Sequence, residues 1–189
     1  MVTVAAGRPP PHALTDWDRR CGFTEADDVV GARRAEDLAA VEQLGARPVW
    51  LDFLDRQYMG GEPPSVVSVA QAIEAVLRER APDLVASPLG LSHPDHVVTA
   101  AACFDVAARM RNIEWVVYED AIYRATGGVM EQAMSRLEGK GFALQPLDVA
   151  STTRKHDAVF HYTSQLKGLA DLLDDATRPE RYWKLSARP

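Results

Sequence analysis

Five short apolar runs, each followed by a helical or polar stretch, constrain this chain more than any other feature. They are VTVAA (residues 2–6), RPVWLDF (47–53), DLVASP (83–88), EWVVYED (114–120) and FALQPLDV (142–149). The runs are nearly continuous rather than alternating, so each predicts a strand covered on both faces. Helical spacing fills the intervals. VVGARRAEDLAAVEQLGA reads as a helix with Gly45 at its end as the C-cap. Val66, Val69, Ala70, Ile73, Val76 and Leu77 trace one helical face, and Val97, Ala100, Ala101, Phe104 and Ala108 trace another. A further helix is expected over 129–138, and a last one with Val159, Tyr162, Leu166, Leu169 and Leu173 on one stripe. This alternation predicts an α/β fold: a three-layer, Rossmann-like, mainly parallel sheet with helices on both faces. The 189 residues are the size of a single domain. Ligands of such sheets sit beyond the carboxyl ends of the strands.

Bulk properties narrow the function. A net charge of −6 and a pI near 5.4 argue against a nucleic-acid groove, which needs a basic face. No apolar run reaches the roughly 18 residues of a membrane helix, so no membrane partner is expected. MVTVAAGRPP has neither a charged leader nor a long apolar core, so no signal peptide is expected. Cys21 and Cys103 lie far apart, unlike zinc or redox spacing, and fit a reducing cytoplasm.

The segment GLSHPDHVVTA (90–100) carries the chemistry. It follows a strand and opens a helix. Ser92 is expected to cap that helix, with Asp95 three residues on and Pro94 in the first turn. His93 and His96 are then i and i+3, so both imidazoles project to one side. A neutral imidazole is a good zinc ligand, and a carboxylate beside it fixes the tautomer. Asp95 could serve either ring. The plainer alternative is a solvated helix start.

His93-Pro94-Asp95-His96 resembles the His-x-Asp-His motif of the PIG-L (LmbE-like) zinc-dependent deacetylases. Arg33, Glu36, Leu44 and Gly45 are similar to that family's Arg-x-x-Glu helix ending in Leu-Gly. VYEDAIY (117–123) and KHDAVFHYTSQ (155–165) are similar to its later stretches. The resemblance implies a hydrolase that removes acetyl groups from a small-molecule N-acetylated sugar or sugar-linked metabolite. It implies Zn2+ as cofactor, His96 as a metal ligand, His93 with Asp95 as the catalytic pair that polarises or protonates the amide, and Arg33 as a substrate contact.

One departure stands out. The family opens on Ala-His-Pro-Asp-Asp, which supplies two further ligands and a general base, and no such segment occurs here. His12 follows prolines, and Ala26-Asp27-Asp28 lacks the preceding His-Pro. The chain therefore reads as a family member without its first strand-loop-helix unit, with zinc binding weak or absent and activity impaired. The alternative is a metal-free relative acting as a binding or assembly module, whose open sheet edge pairs with a partner or a second copy as a homo-oligomer.

Other residues divide between roles. Arg33 and Glu36 could simply pair across one helix turn. Glu119 and Asp120 end a strand and could line the same cleft, although strand-end acids are often just solvated turns, and a catalytic part is not expected of them. The loop 7–28 could cover a substrate, with Trp17 and Arg19 available for sugar contacts, or could be plain surface. Trp50, Trp115 and Trp183 read as packing residues.

Overall fold

All five apolar runs contain a strand, in a computed structural model that describes residues 1–11, 13–60, 63–149, 154–169 and 173–187. They are β1 (Val2–Thr3), β2 (Val49–Trp50), β3 (Leu84–Pro88), β4 (Glu114–Tyr118) and β5 (Phe142–Leu147). β1 pairs with β2 and β3 with β4, both in parallel, as expected for continuous apolar strands. A sixth strand, β6 (Tyr182–Ala187), was not legible. It runs antiparallel between β4 and β5, giving the order β3-β4-β6-β5. The fold is α/β.

The described residues gather into two compact units. One comprises Met1–Glu62 and Ser151–Pro179, the other Pro63–Ala150 and Glu180–Pro189. The first holds β1, β2, α1 (Asp16–Arg20), α2 (Val29–Gln43), α6 (Arg154–Val159), α7 (Thr163–Gly168) and α8 (Leu173–Thr177). α2 ends as its sequence predicts. Gly45 takes φ +73, where its N–H reaches Glu42 O and the next N–H reaches Val41 O. The helix α1 interrupts the stretch read as one long loop, and Thr15 caps it in a capping box with Asp18.

The single C-terminal helix expected over the Val159–Leu173 stripe is instead broken. Glu36 on α2 accepts from Ser164 N, Ser164 Oγ and Thr163 Oγ1, all at 2.7 Å, and so caps α7 from outside. Tyr162, just before it, donates its hydroxyl to Asp37 at 2.9 Å. These tertiary bonds outweigh the stripe, which assumed one uninterrupted period. The side chain of Leu173 lies outside the described residues, as does His12.

The second unit holds the four-stranded sheet with α3 (Val66–Arg80), α4 (Pro94–Arg109) and α5 (Val129–Gly139). Val69, Ala70, Ile73 and Leu77 of α3 are buried, on the predicted face. The α4 face is rotated from the prediction. Val98, Ala100, Ala102, Cys103, Phe104, Val106 and Ala107 are buried, while Ala108 is exposed. Alanines on nearly every side of α4 made its period ambiguous, and packing against α3 and β3 chose the face.

Candidate functional site

The site grows from the carboxyl end of β3. After Pro88 the chain continues its ladder once more, Leu89 N donating to Tyr118 O at 2.9 Å. It then turns at Gly90, with φ +83. A side chain there would meet Ala100 Cβ at 2.6 Å, so the turn lies flat on α4 only because residue 90 is glycine. Arg136 of α5 donates to Gly90 O at 2.6 Å.

Ser92 is not the helix cap. It sits at φ +54, in the left-handed region, and the chain becomes extended only at His93 (φ −65, ψ 128). His93 is therefore the N-cap, and its Nδ1 accepts from Asp95 N at 3.3 Å. An accepting Nδ1 leaves the neutral ring's proton on Nε2. Pro94 occupies the first turn as expected, where a missing N–H breaks no bond.

His93 and His96 come together, their ring centroids 5.3 Å apart. His96 is held by Asp120, whose Oδ1 lies 2.6 Å from His96 Nδ1. A carboxylate accepts, so the imidazole donates its Nδ1–H and keeps a lone pair on Nε2. Asp120 is itself 2% exposed. Its Oδ2 accepts from Gly90 N at 2.8 Å and Leu91 N at 2.9 Å. One carboxylate thus fixes both the turn that carries the histidines and the orientation of His96. The His96 side chain is 41% exposed, so its far edge is open to a ligand.

Asp120, read from sequence as a strand-end acid that either lines the cleft or sits in a solvated turn, has a role that sequence reasoning missed, as the partner of His96. Its signal was its place just beyond β4, the strand paired in parallel with the strand that feeds the histidines. Its neighbour Glu119 faces elsewhere. It is buried, accepts from Trp183 Nε1 at 3.2 Å and lies 3.7 Å from Arg181 Nη1.

Arg33, in the other unit, makes no pair with Glu36. Its Nη2 donates to Asp18 Oδ1 at 2.9 Å and its Nη1 to Tyr58 Oη at 3.2 Å, with the guanidinium over the Phe23 ring. Asp18 is fully buried and also accepts from Tyr58 Oη and Thr15 N. Burial, followed by the charge of Asp18, pushes the Tyr58 phenol up, with Arg33 opposing. Trp17, on α1, lies against Gly168, and the Arg20 guanidinium sits over its ring. Arg19 faces Asp16 and Glu25 in exposed pairs.

The donor set does not by itself match a hydrolytic zinc, which takes about three protein ligands. Among the described residues no group of three or more His, Cys, Asp or Glu is arranged to hold a metal ion. The carboxylate bonded to His96 already serves two backbone N–H groups. Among the described residues no helix is long and apolar enough to cross a membrane.

No curated protein matches the chain closely enough to count. Solved structures do. A deacetylase triple mutant involved in the teicoplanin biosynthetic pathway is 28% identical, with TM-score 0.81, over 98% of this chain and 84% of that one. A deacetylase in complex with teicoplanin is 25% identical, with TM-score 0.77, over 100% and 87%. The zinc-inhibited form of teicoplanin deacetylase Orf2 is 24% identical, with TM-score 0.77, over 98% and 86%, and speaks to the fold alone. Residues 1–107 match the family described as GlcNAc-PI de-N-acetylase, so that the two histidines beyond β3 and the sheet that carries them belong to a member of the PIG-L family.

Proposed function

We propose that this chain is an N-deacetylase, hydrolysing the amide of an N-acetylated sugar or a sugar-linked metabolite in the cytoplasm, with residues 1–189 forming one deacetylase domain. The observation that carries the reading is the pairing of His93 with an Asp120-oriented His96 beyond the sheet. The similar solved structures, a deacetylase involved in the teicoplanin biosynthetic pathway and a deacetylase in complex with teicoplanin, support the substrate class.

Each residue has a task in this reading. His96 offers Nε2 as a metal ligand. His93 presents an Nε2 proton toward the amide, polarising the carbonyl or protonating the leaving amine. Asp95 donates its backbone N–H to His93 Nδ1 and thereby holds that tautomer. Arg33 is the substrate contact, pre-set by Asp18 and Tyr58. The family's zinc, when bound, supplies Lewis acidity and an activated water. With His96 as the ligand contributed here, zinc affinity and turnover of this chain are low.

The ligand shortfall favours a second reading, a metal-free relative that binds N-acetylated sugars or assembles with itself without cleaving them. Zinc content of the purified chain, measured beside acetate release from an N-acetylglucosaminide, separates the two. Acetate release that disappears in His96→Ala and His93→Ala supports the deacetylase. Complete inactivity with added zinc, alongside retained sugar binding, supports the second reading.

A further inference from the structure

Three rings meet beyond the sheet, and only two of them have been given a task. The Tyr123 ring lies 5.3 Å from His96, edge-on at 85°, and 5.9 Å from His93. Tyr123 stands three residues beyond Asp120, in the turn that follows β4. It is half-buried.

The backbone that delivers it is strained. Ile122 takes φ +64, a conformation in which a β-branched side chain is a true outlier. Such a residue persists where the surroundings over-determine it. The next residue, Tyr123, has its ring beside both histidines.

An aromatic ring beside a reactive pair offers a large, stiff face at little entropic cost. Its negative face attracts the polarised C–H groups that line one side of a pyranose. Resting on the deacetylase reading, we propose that Tyr123 is the sugar-contact residue of the His93–His96 site. Its ring takes the apolar face of an N-acetylated hexosamine and sets the acetamido carbonyl against the imidazoles. The contact is made by the ring and does not depend on the hydroxyl.

The test uses the full chain and needs no metal. Binding of methyl N-acetyl-glucosaminide is measured by saturation-transfer NMR for the wild type, Tyr123→Phe, Tyr123→Leu and Tyr123→Ala, with circular dichroism checking the fold. The wild type and Tyr123→Phe should bind within about twofold of each other, while Leu and Ala should each weaken binding about tenfold. Leucine keeps the packing volume, so its loss reports the aromatic face even where alanine unfolds the turn. Equal binding by wild type and Tyr123→Leu overturns the contact and leaves the deacetylase reading standing. A tenfold loss in Tyr123→Phe overturns the ring in favour of the hydroxyl. A wild type that neither binds nor hydrolyses the N-acetyl sugar overturns both.

Discussion

A carboxylate that serves three donors cannot be removed without stranding all three. Asp120→Ala removes the acceptor of two backbone N–H groups, Gly90 N and Leu91 N, and frees the His96 ring. Each stranded donor costs about 1–3 kcal/mol, so the variant should lose about 3 kcal/mol in urea unfolding. A loss below about 1 kcal/mol would mean that the turn does not depend on this carboxylate. Asp18 poses the same question in the other unit. It is fully buried against Arg33, whose side chain is 18% exposed. Asp18→Asn leaves that guanidinium without its charge partner, and breaking such a pair costs about 3 kcal/mol. Thermal unfolding checks it, and a drop of less than about 1 °C would place the pair among weak surface bridges. Both carboxylates were visible as residues in the sequence. Their partners were not, because acid and base meet only after two distant segments have folded together.

At the scale of elements, two turn positions make opposite predictions. Ala81 ends α3 at φ 44, left-handed and exposed. Glycine adopts that conformation without the roughly 1–2 kcal/mol that a Cβ costs, less its own unfolded-state entropy. Ala81→Gly should therefore stabilise by about 0.5–1 kcal/mol in chemical denaturation. Gly90 is the reverse case, at φ +83 with Ala100 Cβ at 2.6 Å from any added Cβ. Gly90→Ala should cost about 2–3 kcal/mol and displace the histidines, seen as lost acetate release and a lowered unfolding midpoint. Strand and helix positions were largely legible, since their signal is a local period. The face of α4 and the break after Val159 were not. An alanine-rich helix fits more than one face, and the cap of α7 is a side chain from α2.

Whole-molecule stability carries its own pH signature. Cys103 is buried, and burial pushes its thiol up to about 12 from an ordinary 9.0, with Ser87 partly opposing. Burial also pushes the Tyr118 phenol up, with Asp120 adding to the effect. Both groups hold their protons more tightly in the folded chain. Their contribution is complete below pH 9 and is lost as pH rises, because the unfolded chain ionises first. The urea midpoint should fall between pH 9 and 11, with the thiol contributing on the order of 1 kcal/mol per pH unit. Cys103→Ala should flatten that slope, and an unchanged slope would remove the thiol from the account. Both cysteines are buried, so a thiol reagent at pH 8 should label neither until denaturant is added.

Read alone, the residue order was enough for the α/β class, for five of the six strands among the described residues, and for two histidines on one side of a helix start. Those features rest on periods and spacings that act over a turn or two of chain, and short-range sterics govern them whatever the rest of the molecule does. Folding chose the partners. His96 finds Asp120 24 residues on, Arg33 finds Asp18 15 residues back, and Glu36 finds Ser164 128 residues on. Pairings at such separations carry no periodic trace, because their geometry exists only once strands and helices have packed.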